Sequence, residues 1–233
     1  MKTRVAIVGA SGRMGRFACE LLARSAQFEV VARIDRDHDL AAVITETRPS
    51  VALDVTRAGL GFAHGKKLLE LGVRPLIGTS GVGIAETLEL DLLARSRALG
   101  GLIVPNFSLG MCLLQEAALA AARAFERCEI IEMHHEKKRD APSGTALDTA
   151  ERMRAVAGSK LAEVPIHSVR LPGLYAHQLV VFGAVGETYT LRHDMSGPEG
   201  FADGIQLALA YVATAVGVER GLAIALEKGE RAS

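Results

Sequence analysis

The sequence lacks a net charge, a long apolar run and the cysteine spacings of disulfide or zinc scaffolds. Lys and Arg total 27 and Asp and Glu total 27, so no overall basic field favours nucleic acid as a partner. The apolar stretch near residue 5 is too short for a signal peptide, and residues 205–218 are too few to span a bilayer. We therefore expect a soluble cytoplasmic protein without a nucleic-acid or membrane partner.

Cysteine is scarce as well. Cys19, Cys112 and Cys128 are an odd number of cysteines with no CxxC spacing, which favours neither a disulfide framework nor a zinc ribbon. We expect buried thiols in a reducing compartment. What is present, 49% hydrophobic and 23% charged residues over 233 positions, is typical of a globular chain with one large or two modest domains.

Short apolar runs alternate with helical patterns through the first half of the chain. The runs are rich in Val and Ile and are separated by crossovers long enough for a helix, a pattern typical of a parallel sheet covered on both faces. The predicted strands cover residues 5–8, 30–34, 51–55, 76–77 and 102–104. The predicted helices cover residues 13–24, 40–47, 62–71 and 85–98.

The pattern changes after residue 105. Helical patterns at 111–125 and up to about 157 enclose a strand at 129–133, and alternating segments with Gly and Pro between them follow at 166–171, 178–182 and 188–193. A last helical pattern covers 204–216. We predict an α/β protein with a Rossmann-like parallel sheet in residues 1–106 and a second, α+β domain with an open mixed sheet in residues 107–200.

A glycine-rich turn directly follows the first predicted strand and opens the first predicted helix. Gly9 suits the tight turn, Gly12 lets the backbone approach a diphosphate, and Gly15 lets the helix pack on the strand. A diphosphate would lie at the helix N-terminus, where N–H groups favour negative charge. Asp35, at the end of the second predicted strand, can accept hydrogen bonds from an adenosine ribose. The pattern predicts a dinucleotide site, with a purely structural turn as the alternative.

The residues beside this acid leave the cofactor preference open. An acid alone favours NAD, whereas a nearby arginine can accept the 2′-phosphate of NADP. Arg33 and Arg36 flank Asp35, which argues for tolerance of either cofactor, and two solvated surface arginines are the alternative.

A polar loop with two histidines follows the strand predicted at 129–133. Adjacent strand side chains point to opposite faces, so His134 and His135 cannot easily chelate one metal. We therefore expect no metal site. The charged residues 136–140 would by themselves be a solvated loop.

That loop, however, leads into the start of a helix. Pro142 suits a helix entrance, and Thr145 with Asp148 has the spacing of a capping box. The amides of Gly144 and Thr145 would form a pocket for a carboxylate, with lysine and histidine nearby to transfer protons. The residues alone predict a nicotinamide-dependent reductase of a small acidic substrate.

The same segment carries a family resemblance. EIIEMHHEKKRDAPSGTA at residues 129–146 closely resembles the signature E-x-H-H-x-x-K-x-D-A-P-S-G-T-A of 4-hydroxy-tetrahydrodipicolinate reductase, also called dihydrodipicolinate reductase, from the bacterial lysine and diaminopimelate pathway. Shorter stretches are similar to further motifs of that family: GASGRMG at 9–15, IGTSG at 77–81, NFSLG at 106–110, GE at 186–187 with His193, and FADG at 201–204. The chain departs from the family at 196–199, where many members carry an arginine.

The resemblance implies a homotetramer of two-domain subunits, with a C-terminal helix at about 201–233 that packs back on the first domain. It implies hydride transfer from NADH or NADPH to the dehydrated form of 4-hydroxy-tetrahydrodipicolinate, a small dicarboxylate, which gives tetrahydrodipicolinate. Two rival interpretations are another two-domain amino-acid dehydrogenase and a non-catalytic dinucleotide sensor. Neither explains the HHxxKxDAPSGTA pattern.

The resemblance also implies roles for individual residues. His134 would donate or accept a proton, and Lys138, rather than Lys137, would be the proton donor. His135 and the amides of Gly144 and Thr145 would hold the substrate carboxylates. The positions that match cofactor contacts are Gly9, Ala10, Ser11, Gly12, Arg13, Met14, Asp35, Arg36, Gly78, Thr79, Ser80, Val104, Pro105, Asn106 and Phe107.

Overall fold

A computed structural model describes residues 1–229, and the chain divides into two units. Unit 1 joins Met1–Phe107 to the segment that begins at Phe201, and unit 2 is Ser108–Gly200. Among the described residues, no helix combines the length and apolarity needed to cross a bilayer.

Unit 1 is built on a six-stranded parallel sheet. Its strands, numbered along the whole chain, are β1 Thr3–Val8, β2 Phe28–Ile34, β3 Val51–Asp54, β4 Arg74–Ile77, β5 Gly100–Ile103 and β10 Gly217–Arg220. Its helices are α1 Arg13–Ala23, α2 Leu40–Thr47, α3 Gly61–Glu70, α4 Ile84–Ser96, α7 Ala202–Thr214 and α8 Leu222–Gly229. Every residue of β3 and of β5 is buried, as expected for strands covered on both faces.

The strand order in this sheet is β10-β5-β4-β3-β1-β2. The chain starts at β1, moves outward to β2, and returns to β3 on the other side of β1, so the order reverses between β1 and β3. Ligands of open α/β sheets bind outside the carboxyl ends of the strands at such a reversal. The Rossmann-like α/β class predicted for this domain is confirmed.

The C-terminal segment differs from the prediction. In place of one helix at about 201–233, the structure has α7, the strand β10 and α8, and residues 230–233 lie outside the described residues. β10 pairs in parallel with β5 at the edge of the sheet. Gly204 lies at the start of α7, where a Cβ would overlap the carbonyl oxygen of Phe107.

Unit 2 is a four-stranded mixed sheet with two covering helices. The helices are α5 Leu109–Ala122 and α6 Gly144–Ala157, and the strands are β6 Arg127–His134, β7 Ile166–Arg170, β8 Ala176–Ala184 and β9 Glu187–Met195. In the order β7-β6-β8-β9, the first pair is parallel and the others are antiparallel. The predicted open mixed sheet is confirmed.

One face of this sheet packs on the helices and the other does not. Met111 and Leu114 of α5 and Met153 of α6 form a buried core with Ile130 and Phe182 of the sheet. The opposite face carries apolar side chains that are only partly buried, namely Ile131, Met133, Leu179 and Val181. The alternation along the strands thus separates a closed face from an open one.

Candidate active site

The glycine-rich turn lies at the carboxyl end of β1, beside the reversal in strand order. Gly9 has a φ of +87°, which favours glycine, and its amide donates to the Ile34 carbonyl at 2.7 Å. Gly12 is the N-cap of α1 and is exposed. Gly15 is buried, and a Cβ there would overlap the Gly9 carbonyl oxygen and lie 2.7 Å from the Cα of Ala10. Packing therefore requires a glycine at 15, whereas Gly12 faces space that a ligand can enter.

Asp35 lies at the end of β2 and contacts this turn. Its Oδ1 accepts from the amide of Ser11 at 2.9 Å and from the Ser11 hydroxyl at 2.8 Å. These two hydrogen bonds lower the pKa of the Asp35 carboxyl. The acid therefore stays ionised while it orders the turn, and its Oδ2 remains available to a ribose hydroxyl.

The basic residues near this turn reach into solvent. Arg36 is 93% exposed in its side chain and lies 3.6 Å from Asp37, and Arg13 at the start of α1 is exposed too. Neither side chain makes a close hydrogen bond or ion pair in the part of the chain that the structure describes. Met14 is partly buried and Ala10 is buried.

The remaining predicted cofactor positions follow β4 and β5 at the same edge of the sheet. Gly78 donates its amide to the Asp54 carbonyl at 2.8 Å, and its absent Cβ would lie 2.7 Å from the Phe107 ring. Thr79 is buried, and its Oγ1 has no hydrogen-bond partner among the described residues. Ser80 is exposed; Val104 and Phe107 are buried, with Pro105 exposed and Asn106 partly buried between them.

A buried aspartate that the sequence analysis did not single out organises the neighbouring strand end. Asp54 is fully buried at the end of β3. It accepts from the amide and hydroxyl of Thr56 at 2.9 and 2.6 Å and contacts His64 Nδ1 at 2.9 Å. The hydrogen bond to Asp54 raises the pKa of His64. Gly9 approaches this loop, because a Cβ on Gly9 would lie 3.1 Å from Thr56.

These features of unit 1 fit a dinucleotide. An open glycine N-cap suits a diphosphate, and an ionised aspartate suits a ribose. The hydroxyl of Thr79, which has no partner within residues 1–229, can bond a polar ligand atom. NADH or NADPH would be held by the residues at the ends of β1, β2, β4 and β5.

In unit 2, the helix-covered face of the sheet changes from apolar to polar toward the end of β6. Ser168, Glu132, Gln178 and His193 lie side by side across the four strands. Both covering helices begin beside this row: the N-cap Ser108 of α5 contacts His193, and the amide of Ser143, the N-cap of α6, donates to Glu132. Helix N-termini favour anions, so the polar row suits a carboxylate substrate.

Glu132 and His134 form the centre of this polar region. Glu132 is fully buried, and its Oε2 lies 2.6 Å from His134 Nδ1. Arg170 of β7 binds both oxygens of Glu132, at 2.8 and 2.7 Å. Burial raises the pKa of Glu132, but hydrogen bonds from Arg170, Ser168 and His134 outweigh it and lower the pKa.

The ionised Glu132 fixes the tautomer of His134. A carboxylate only accepts hydrogen bonds, so Nδ1 of His134 carries the proton and Nε2 of the neutral ring is an acceptor. Burial lowers the pKa of His134; the contact with Glu132 opposes this, and the positive charges of Lys138 and Arg170 add to the lowering. His134 is therefore neutral at pH 7, and its Nε2 can accept a hydrogen bond or a proton.

Lys138 and Lys137 differ in their surroundings. Lys138 is partly buried, and its Nζ donates to Asp140 Oδ2 at 2.8 Å. Lys137 is exposed. His135 begins the loop after β6, and its carbonyl accepts from the Lys138 amide at 3.1 Å. The ion pair with Asp140 thus holds Lys138 in a defined position.

The start of α6 differs from the prediction. Ser143 is the N-cap, and its hydroxyl accepts from the Ala146 amide at 3.2 Å. The predicted Thr145–Asp148 capping box is wrong, because Thr145 already lies inside the helix and Asp148 accepts instead from Gln115 at 3.1 Å. Gly144 opens the helix on its exposed side, with no atom within 4 Å of the position a Cβ would take.

His193 occupies the far end of the polar row. Its Nε2 lies 3.1 Å from Ser108 Oγ, and a Cβ on Gly110 would lie 2.6 Å from the imidazole. Gly110 is therefore the residue that lets α5 approach β9. Burial lowers the pKa of His193. Among residues 1–229, no three His, Cys, Asp or Glu side chains are grouped to hold a metal ion.

Comparisons with known proteins agree with both units. Family profiles described as "Dihydrodipicolinate reductase, N-terminus" and "Dihydrodipicolinate reductase, C-terminus" match residues 3–107 and 110–223. A 4-hydroxy-tetrahydrodipicolinate reductase from Legionella pneumophila (strain Lens) is 41% identical over 95% of this chain and 98% of its own. One from Moorella thermoacetica is also 41% identical, over 96% and 98%.

Two solved structures superpose on this chain. A dipicolinate-bound dihydrodipicolinate reductase from Paenisporosarcina sp. TG-14 superposes with a TM-score of 0.85 at 33% identity, covering 95% of this chain and 98% of that one. A diaminopimelate dehydrogenase from C. glutamicum superposes with a TM-score of 0.61 at 15% identity, over 95% and 94%, which shows a shared fold only.

Proposed function

The chain belongs to the dihydrodipicolinate reductase family, and from this premise we propose which residues carry its reaction. The enzyme is an oxidoreductase of lysine and diaminopimelate biosynthesis that reduces 4-hydroxy-tetrahydrodipicolinate, through its dehydrated form, to tetrahydrodipicolinate. A bound NADH or NADPH supplies the hydride. One observation carries the proposed roles: His134 and Lys138 both lie near the N-terminus of α6. Glu132 holds His134 in place, and Asp140 holds Lys138.

In unit 1, Gly9 to Met14 receive the diphosphate and Asp35 receives the ribose of the adenosine. The open N-cap at Gly12 and the ionised Asp35 support these roles. Arg36 is exposed beside Asp35 and can turn toward a 2′-phosphate. The residues that follow β4 and β5 complete the binding edge: Gly78, Thr79, Ser80, Val104, Pro105, Asn106 and Phe107.

In unit 2, Lys138 is the proton donor. Its ammonium group carries a transferable proton, whereas Nε2 of neutral His134 does not, since Glu132 holds the ring proton on Nδ1. Nε2 of His134 accepts a hydrogen bond, and Lys138 regains its proton from water after the product leaves. Delivery of one proton to the substrate must accompany hydride addition to its conjugated C=C–C=N system.

The substrate carboxylates bind to His135 and to the amides of Gly144 and Thr145. Support comes from the position of these amides in the first turn of α6, where the helix dipole favours negative charge. Lys138 pairs with a single carboxylate oxygen of Asp140, so its ammonium has further N–H groups for a substrate carboxylate. The ammonium and the helix end can together stabilise a dicarboxylate.

We also propose a cytoplasmic homotetramer. The face of the unit 2 sheet away from the helices carries Ile131, Leu179 and Val181 in adjacent positions, all partly buried, and apolar sheet faces of this kind associate. Sedimentation equilibrium tests the assembly, and a monomer at micromolar concentration would contradict it.

The test of the function is NAD(P)H oxidation followed by absorbance. Substrate is made in the cuvette by a synthase from pyruvate and aspartate semialdehyde, and both cofactors are run side by side. Oxidation that depends on the condensed substrate is expected, and mixtures without the synthase serve as the control. Intact cofactor binding without oxidation would contradict the proposal and favour a non-catalytic dinucleotide sensor.

A further inference from the structure

Arg170 contacts Glu132 and Asp140, the residues that bind the two proton-transferring side chains. We propose that Arg170 is a positioning residue that holds His134 through Glu132 and Lys138 through Asp140. This inference rests on the proposed function of unit 2. Arg170 itself is singled out neither by the sequence motifs nor by the proposed substrate contacts.

The first branch runs from Arg170 to His134. NH1 and NH2 of Arg170 bind Oε2 and Oε1 of Glu132, and Oε2 also contacts His134 Nδ1 at 2.6 Å. A two-point contact between a guanidinium and a carboxylate fixes the carboxylate plane. Because that plane also sets the direction of the hydrogen bond to Nδ1, Arg170 sets where Nε2 of His134 points.

The second branch runs from Arg170 to Lys138. NH2 of Arg170 also donates to the backbone carbonyl of Asp140 at 2.7 Å. The side chain of the same Asp140 accepts from Lys138 Nζ at 2.8 Å. Arg170 thus holds the loop at the residue that locates the lysine, and one planar group fixes the geometry of both branches.

The chemistry of this position requires arginine. Glu132 is 0% exposed and the side chain of Arg170 is 17% exposed, so the pair is largely withdrawn from water. A lysine ammonium offers a compact point charge without the fixed fork. It could replace the charge, but it could not at the same time bind both oxygens of Glu132 and the Asp140 carbonyl in their present geometry.

The contact network around His134 and a general loosening of unit 2 predict different titrations of this histidine. The charged groups that face this ring are Glu132 on its own strand, Arg170 on β7 and Lys138 on the loop. Glu132 raises the pKa of His134, whereas Arg170 and Lys138 lower it. Glu132→Gln should therefore lower the pKa of His134, and Arg170→Met should raise it. General loosening of unit 2 would instead shift the pKa of His134 in the same direction in both variants, toward the ordinary value for histidine.

The experiment is an NMR titration of the histidine ring protons in the full-length protein. His134 is assigned as the resonance that disappears in His134→Asn. Arg152→Met is the matched control, because Arg152 pairs with Glu116 at 2.7 Å and contacts neither His134 nor Lys138. Opposite shifts in Glu132→Gln and Arg170→Met are expected, with none in the control. Coincident titration curves in all these proteins would overturn the proposal.

Arg170→Lys keeps the test available if Arg170→Met does not fold, because it preserves the positive charge beside Glu132. We expect a kcat about 100-fold lower, the size of effect that follows from a misplacement of about 1 Å, with an unchanged Kd for NADH. An unchanged kcat would overturn the positioning role. If the unmodified enzyme itself shows no substrate-dependent oxidation, the proposed function fails, and the titration still decides whether Arg170 controls His134.

Discussion

Two alanine substitutions in the glycine-rich turn should separate packing from cofactor binding. At Gly15, the new Cβ would overlap the Gly9 carbonyl oxygen and lie 2.7 Å from the Ala10 Cα. Both are backbone atoms, so α1 must shift. Overpacking of this kind costs about 3 kcal/mol, which for a chain of this size lowers the Tm by roughly 6–12 °C.

At Gly12 the same change meets a different environment. The nearest atom to the new Cβ is the Gly9 carbonyl oxygen at 3.2 Å, and the φ of −69° is open to alanine. The free energy of unfolding should change by less than about 1 kcal/mol. The methyl group would, however, occupy the space through which a diphosphate approaches the N-terminus of α1. We expect NADH and NADPH to bind about 10- to 100-fold more weakly, a loss of about 1.4–2.7 kcal/mol.

The assay pairs differential scanning calorimetry with fluorescence titration of NADH and NADPH. Gly83→Ala is the matched control, because Gly83 is likewise a helix N-cap, with a φ of −82°, and the nearest atom to the position of its Cβ is 3.9 Å away; it should leave both quantities nearly unchanged. The reasoning is refuted if Gly12→Ala binds both cofactors as tightly as the unmodified chain, or if Gly15→Ala melts at an unchanged temperature.

Three further variants test the role of Asp35 in cofactor binding, the proton-transfer residues, and the stability of the fold at low pH. Asp35→Ala should weaken both cofactors, since Asp35 orders the turn, and should weaken NADH more, since only NADH presents a 2′-hydroxyl there; equal losses in titration would leave Asp35 a structural role only. Combining His134→Ala with Lys138→Ala should lower turnover by several orders of magnitude while cofactor affinity is retained, and near-normal turnover would exclude the proposed roles. The hydrogen bond from Arg95 lowers the pKa of Asp91 in the folded protein. The ionised Asp91 therefore stabilises the fold at pH values above its unfolded-state pKa of about 3.9. This stabilisation is lost as the pH falls through the lower pKa of the folded state. Urea unfolding should therefore show a deficit for Asp91→Asn at pH 7 that shrinks below about pH 4; a deficit independent of pH would show that the charge is not its cause.

The sequence predicted those elements whose signal is local. The alternation of apolar runs with helical patterns located β1 to β5 and α1 to α4 because each run is followed within a few residues by its own turn and helix. The short strand β10 was missed. It consists of Gly217–Arg220, half of it polar, and it is a strand only because it pairs with β5, more than 100 residues earlier in the chain.

The same distinction applies to the site. The histidines and the lysine lie in one continuous motif, so the sequence could identify them. The partnership of Glu132 with Arg170 depends on the parallel pairing of β6 with β7, across 38 residues, and periodicity says nothing about which strands pair. The capping prediction failed for a different reason: Ser143 and Thr145 both suit an N-cap, and the helix begins two residues earlier than the Thr145–Asp148 spacing indicated.

The late return of the chain to unit 1 has a consequence for its synthesis on the ribosome. When Ile103 has emerged, β5 is still an open sheet edge, and its neighbour β10 follows only after about 110 more residues. At synthesis rates of about 5–20 residues per second, that edge waits for roughly 5–20 s while unit 2 is made. An unpaired hydrophobic edge strand is a template for pairing between chains. Nascent chains stalled before residue 217 should therefore be the species that aggregates or recruits chaperones, and a fragment ending at Phe107 should be less soluble than the whole protein.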